Sequence, residues 1–138
     1  MPRRSVDHHV PYSPQQMFAV VADVTAYPQF VPYCAAMQVK SQKRIGDIET
    51  LMAVMTVRYK IFEEHFTSAV SLDHQNLHVD TTLVAGPFRK LENSWRFEAE
   101  GDGARIRFYL EYEFRSRLLE AMLGGVFHRM FANFEQAF

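Results

Sequence analysis

The chain has 138 residues and a mass of 16.1 kDa, a length at which one hydrophobic core accounts for the whole, so a single domain over residues 1–138 is expected. Hydrophobic residues make up 48% and charged residues 22%, which excludes disordered, collagen-like and low-complexity classes. Fifteen Lys and Arg against sixteen Asp and Glu leave a net charge of −1, so no bulk positive field draws the protein to DNA or anionic lipid, and any such binding is local.

Val6, His8 and Val10 alternate with Ser5, Asp7 and His9, the period-2 pattern of a half-buried strand from Arg3 to Val10. Ser13-Pro14-Gln15-Gln16 then has a capping serine, a proline suited to the first helical position and a glutamine that completes a capping box. A helix is predicted from there, with Met17, Val20, Val21 and Val24 on its apolar face, ending at Tyr27-Pro28 because the residue before proline avoids helical backbone. Pro28 and Pro32 bracket Phe30 in a short connector.

Six successive strands are predicted between Cys34 and Phe114. Met37 and Val39 lead to a turn at Gly46-Asp47. Leu51, Ala53, Met55 and Val57 follow, then Phe66, Ser68, Val70 and Leu72 up to Asp73-His74-Gln75-Asn76. Leu77, Val79, Thr81 and Leu83 share a face. After Gly86-Pro87, Leu91, Trp95 and Phe97 alternate with charged residues, and Gly101-Asp102-Gly103 turns the chain into Ala104, Ile106, Phe108, Leu110, Tyr112 and Phe114. Such short connections require antiparallel neighbours. Ser116 caps a final helix predicted to reach the C-terminus, with Leu119, Met122, Leu123, Val126, Phe127, Met130, Phe131 and Phe134 as its apolar stripe. The fold class is α+β, with about seven antiparallel strands packed on a long C-terminal helix.

A twisted sheet and a straight helix diverge along their length, so an elongated apolar gap is expected between them. Twelve Phe, six Tyr, one Trp and seven Met supply adaptable walls for an irregular apolar ligand. By strand parity and helix stripe its lining is expected to include Phe66, Trp95, Tyr112, Leu119, Met122, Leu123, Val126, Phe127 and Met130. Glu64 and Asn93 fall on the same inner faces, either to meet a carbonyl or hydroxyl head group or to make structural hydrogen bonds. Gly124-Gly125 interrupts the final helix, either as a weak point that lets it move or to permit close packing on the sheet.

Catalytic signatures are missing from the sequence. It has no GxSxG elbow, P-loop or GxGxxG, and its six histidines show no metal-ligand spacing, so neither an enzyme nor a metal site is expected. Adjacent Glu63 and Glu64 point to opposite faces of a strand and cannot share a reacting atom. Cys34 is the only cysteine, which rules out an internal disulfide, and no apolar run approaches a membrane span or a signal core. A cytoplasmic protein is expected, peripheral to the inner membrane at most. The sequence stops at Phe138 within a helical pattern, so a short further tail is expected.

Four segments, VADVTAYPQFVPYC from Val21, VRYKIFEEHFTSAV from Val57, LVAGPFRKLENSWRF from Leu83 and LEYEFRSRLLEAMLGGVF from Leu110, together resemble the coenzyme-Q-binding START-domain family. That family is a branch of the polyketide-cyclase/START-type lipid-transfer superfamily, which also holds bacterial ribosome-association toxins. The resemblance covers nearly the whole chain and implies a helix-grip fold, a curved sheet around the C-terminal helix with an internal apolar tunnel. It implies non-enzymatic binding of ubiquinone or a related polyprenyl lipid, in support of respiration or quinone biosynthesis, with no cofactor beyond that ligand. The alternative it implies is binding to the large ribosomal subunit. Tyr27, Pro28, Phe30 and Pro32 then fall near the tunnel entrance, Pro87 and Phe88 in a loop beside it, and Leu119 to Phe127 on the gripping helix. Tyr33 stands where relatives often carry tryptophan, and Arg58 and Ile61 where glycines are expected.

Overall fold

The computed structural model describes residues 3–132 and 134–138. Strand β1 (Arg3–Val10) leads to helix α1 (Pro14–Ala22), a 3-10 segment over Val24–Gln29, and six strands: β2 (Cys34–Ile45), β3 (Ile48–Tyr59), β4 (Phe62–Asp73), β5 (His78–Ala85), β6 (Phe88–Glu100) and β7 (Gly103–Phe114). Helix α2 (Arg117–Ala132) and a 3-10 turn over Phe134–Ala137 complete the chain. All seven strands form one antiparallel sheet in the order β1-β7-β6-β5-β4-β3-β2. Sequence neighbours thus pair through tight turns, and only β1 reaches across to close on β7.

Register shifts at Cys34/Ala36, Val39/Ser41, Thr67/Ser68 and Phe88/Lys90 are the bulges that bend a sheet and raise its twist. On the inner face, Leu51, Val57, Val70, Leu72, Leu91, Trp95, Phe97, Ile106, Phe108 and Leu110 are buried. This alternation is the one the strand patterns predict.

The start of α1 follows the sequence in detail: Ser13 Oγ accepts from the Gln16 amide at 3.1 Å, and the Ser13 amide donates to Gln16 Oε1 at 2.9 Å. Its face and its end differ from expectation. Val20 is 42% exposed while Phe18 is buried, because the Phe18 ring packs edge-on against Phe97 and His74 and brings a larger apolar area to the core than valine would. The helix stops at Ala22, and Pro28 lies inside the 3-10 segment that follows.

Helix α2 likewise ends at Ala132 and does not continue to the C-terminus. Ser116 Oγ accepts from the Leu119 amide at 3.1 Å, as predicted. The stripe on α2 is narrower than expected: Leu123, Val126, Phe127, Met130 and Phe131 are buried, Leu119 is half-buried, and Met122 is 52% exposed. No helix among the described residues is long and apolar enough to cross a membrane.

Candidate functional site

Between the inner face of the sheet and the C-terminal segment lies a cavity of about 60 Å³. Its sheet wall comes from β2 to β7: Met37, Ala53, Met55, Phe66, Ser68, Val70, Val79, Thr81, Leu91, Asn93 and Leu110. Val24 and Tyr27 close one side, and Phe131 and Phe134 form the roof. The void opens where small side chains meet across strands, since Ala53 pairs with Ser68 and Val70 with Thr81. A bulkier inner face would close it.

Three polar side chains reach this wall. Asn93 and Thr81 are directly opposed on β6 and β5, and Ser68 lies on β4. Asn93 Nδ2 donates to the Tyr109 carbonyl at 2.9 Å, and its Oδ1 accepts from the Trp95 indole at 3.1 Å. Its structural role is thereby explicit, and one N–H and one lone pair of the amide remain. Tyr27 donates its hydroxyl to the Val21 carbonyl at 2.5 Å, and burial pushes its phenol well above the ordinary value. It offers the cavity a ring and not a proton. Tyr27 is the one titratable residue in the wall among the described residues.

Of the residues singled out in the sequence, the structure brings Tyr27, Phe66 and Asn93 to the cavity. Phe88, Leu123, Val126, Phe127 and Met130 fill the core between the cavity and the β7–α2 corner, where Phe127 packs on Phe66, Phe88, Phe114 and Phe131. Trp95 stacks on Phe97 behind Asn93. Tyr112 turns toward α2, where its hydroxyl meets His128 Nδ1, and burial pushes its phenol up to about 12. Phe30 is on the surface side of Tyr27, packed on Phe138. Leu119 and Met122 lie at the outer end of α2. Glu64 sits half-buried at the start of β4, with Oε1 accepting from the His65 amide at 3.2 Å, and it does not line the cavity. Its parity is right, but its position near the strand end puts it beyond the roof.

Phe131 and Phe134 belong to the predicted helix stripe, and Ala53, Met55, Val79 and Thr81 to the predicted strand faces, but none of them was singled out by number as lining the gap. A usable signal was present, namely small residues at matching depths in neighbouring strands. The two helix glycines are clearer in the structure. A Cβ on Gly125 would meet nothing within 4 Å, and one on Gly124 would make ordinary contact with His128 at 3.4 Å, so close packing on the sheet does not require them. Gly86 is different: its φ of +151° and a Cβ position only 2.6 Å from that of Phe66 demand glycine where the β5–β6 loop crosses β4.

Electrostatics elsewhere is local. Cys34 is buried, which pushes its thiol up to about 11 and leaves it a poor nucleophile. Among the described residues no three His, Cys, Asp or Glu side chains are placed to hold a metal.

The family model described as polyketide cyclase / dehydrase and lipid transport matches residues 10–138. Ribosome association toxin RatA of Escherichia coli K12 is 34% identical over 142 aligned residues, covering 100% of this chain and 85% of that protein. The mitochondrial coenzyme Q-binding protein coq10 of Schizosaccharomyces pombe is 30% identical over 115 residues, covering 79% of this chain and 67% of that one. Among solved structures, a START superfamily protein from Mycobacterium smegmatis superposes with a TM-score of 0.77 at 20% identity, over 98% of this chain and 92% of its own.

Proposed function

Because the chain belongs to the polyketide cyclase / dehydrase and lipid transport family, we propose that it holds an apolar lipid of the isoprenoid-quinone class between its sheet and its C-terminal segment, without acting on it chemically. The observation that carries this reading is the wall of the cavity, apolar but for Ser68, Thr81 and Asn93. Quinone carbonyls ask for one or two donors, which that triad supplies, and the isoprenoid tail asks only for apolar area, at about 25 cal/mol per Å². A cyclase or dehydrase needs a group able to move a proton, and among the described residues the one titratable group in the cavity wall is the Tyr27 phenol, already committed to Val21.

A volume of about 60 Å³ is far below the roughly 300–1,000 Å³ of ligand pockets. Loading therefore requires the roof to move out. Phe131 and Phe134 are the side chains to displace, and Gly124-Gly125 is the point where α2 yields most easily.

The sole tryptophan reports on the site, since its indole is bonded to the Asn93 amide in the wall. Delipidated protein titrated with quinones of increasing tail length is expected to show Trp95 quenching with affinity rising with tail length. Solvent extraction of freshly purified protein followed by mass spectrometry identifies the resident lipid. No quenching at any tail length would overturn the proposal.

The 34% identity with RatA over the whole chain favours a second reading, attachment to a large ribosomal subunit. RNA binding relies on unpaired cations and falls steeply with salt. On the outer face of β6 and β7, Arg105 and Arg107 are engaged by Asp7, Glu98 and Glu100, and Arg96 by Asp80, so that face offers no free cluster and RNA would have to use cations elsewhere. Co-sedimentation with large subunits at low and moderate salt separates the two readings.

A further inference from the structure

The antiparallel registers place the β3–β4 turn, the β5–β6 loop and the β7–α2 junction at one end of the sheet. Phe127 packs on Phe66, Phe88 and Phe114 at that same end, so the helical residues that precede it lie there too. Large apolar side chains without cover lie near this end: Ile61 in the β3–β4 turn at 92% exposure, Leu118 at 70% and Met122 at about half on the first turns of α2, and Val84 at about half next to the last residue of β5. Exposed apolar groups are ordinary when scattered, and Ile45 and Ile48 are exposed at the opposite end too; what sets this end apart is the charge gathered around its apolar side chains.

Cations surround them. The turns at this end carry Lys60 and Arg115, with Arg117 opening α2, while the turns at the opposite end carry Asp47 and Asp102 and no Lys or Arg. Arg58 and Arg89 are paired with Glu63 and Glu113. Lys60, Arg115, Arg117 and Arg129 have no carboxylate within 4.0 Å among the described residues. Two of the cations sit where the fold disfavours them. Lys60 holds a left-handed backbone with φ +56°, which glycine would adopt without strain. Arg117 stands at the N-terminus of α2, where the helix dipole repels positive charge. Lys60 and Arg129 also flank the Tyr59 ring, each 5.3 Å from its centroid.

The geometry points to this end of the molecule as a docking surface for an anionic lipid bilayer. Apolar tips on three separate segments enter the headgroup layer, while the free cations around them meet its negative surface. The chemistry suits a bilayer better than RNA, which has no use for bare Ile61 and Leu118, or than a protein partner, which needs a continuous patch of about 1,000 Å² rather than separate tips. The charge asymmetry orients the molecule with its acidic turns away from the surface. The inference stands independently of what the cavity holds.

The test is sedimentation with phosphatidylcholine vesicles, with and without a minority of phosphatidylglycerol. The wild type is expected to pellet with the anionic vesicles, less so at high salt, and weakly with phosphatidylcholine alone. Ile61→Asp with Leu118→Asp, and separately Lys60→Gln with Arg115→Gln and Arg117→Gln, are each expected to lower partitioning at least about tenfold. These positions are exposed, so thermal melting is expected to hold, as is quinone quenching of Trp95. Ile45→Asp with Ile48→Asp, exposed apolar residues at the acidic end, serves as the control and is expected to bind vesicles normally. The inference is overturned if wild type stays in the supernatant, if the control loses as much as the tip variants, or if the tip variants bind unchanged. Cation-dependent pelleting with ribosomal subunits but not with vesicles would overturn it as well.

Discussion

Arg4 on β1 donates from Nε to both carboxylate oxygens of Glu135, at 3.0 and 2.9 Å, and so ties the first strand to the last turn of the chain. The partners differ in exposure: the Glu135 side chain is 1% exposed and that of Arg4 34%. Phe134, next to this carboxylate, is part of the cavity roof, so the pair latches the roof in place. Removing either partner therefore has unequal consequences. Arg4→Ala strands a buried charge and is expected to cost about 2–3 kcal/mol, whereas Glu135→Gln leaves Arg4 able to reach water and is expected to cost about 1 kcal/mol. Urea unfolding with an unchanged m-value checks the order. Equal losses would mean that the carboxylate is hydrated and that the latch is not closed in solution.

The glycine pair in α2 is expected to behave as a tolerated flaw. With no close neighbour for a Cβ at Gly125 and only ordinary contact at Gly124, Gly124→Ala combined with Gly125→Ala is expected to gain up to about 2 kcal/mol, near 1 per site. If α2 yields at this point when ligand enters, quinone exchange measured by Trp95 stopped-flow slows in the same variant. A gain in melting temperature with unaltered exchange would place the moving point elsewhere than Gly124-Gly125.

The strands, their antiparallel pairing with sequence neighbours, the turn positions and both helix caps were legible because each rests on local chemistry: alternation, Gly-Asp turns, and Ser13 or Ser116 ahead of an apolar stripe; the closure of β1 on β7 is a long-range pairing that no local pattern carries. The shape of the cavity was less so. Which inner residues border a void depends on how small side chains align across strands, and Ala53 opposite Ser68 becomes visible only with the register in hand. The roof was less legible for a related reason. Leu123, Val126, Phe127 and Met130 were expected at the gap, and the side chains that border the cavity from the C-terminal segment are Phe131 and Phe134, further along it. Glu111 shows the same limit on the outer face. Its parity puts it among outward charges, but Arg3, Lys90 and Tyr109 close over it and leave it buried.

The acid limb of stability is expected to depend on Glu49. His74 Nε2 lies 2.9 Å from Glu49 Oε1, and this hydrogen bond, with a further one from Gln42, holds the carboxyl below its ordinary value of 4.5. A group whose folded pKa is lowered stabilises the fold above its unfolded pKa and loses that contribution as the pH falls through the folded value. Glu49→Gln is thus expected to lower stability at neutral pH and to flatten the decline below about pH 4.5, in thermal melts taken from pH 7 to pH 3. An unchanged acid slope would show that the pair does not persist in solution.

The cavity itself is open to a volume test at Ala53, which lies in its sheet wall, is 3% exposed and is paired with Ser68. Cavities in cores cost about 24 cal/mol per Å³, so filling all 60 Å³ would recover at most about 1.4 kcal/mol. Ala53→Val adds two methyl groups and fills part of that space, for an expected gain of about 0.5–1 kcal/mol in the ligand-free protein. The same methyls stand where the proposed quinone must begin to enter, so quenching of Trp95 is expected to weaken about tenfold. The two readouts move in opposite directions, which sets this substitution apart from ordinary damage to the core. A loss of roughly 1–3 kcal/mol would indicate overpacking of a wall with no spare volume. A gain in stability with undiminished quenching would show that the ligand opens a space other than this one, and the roof over Ala53 would then be structural.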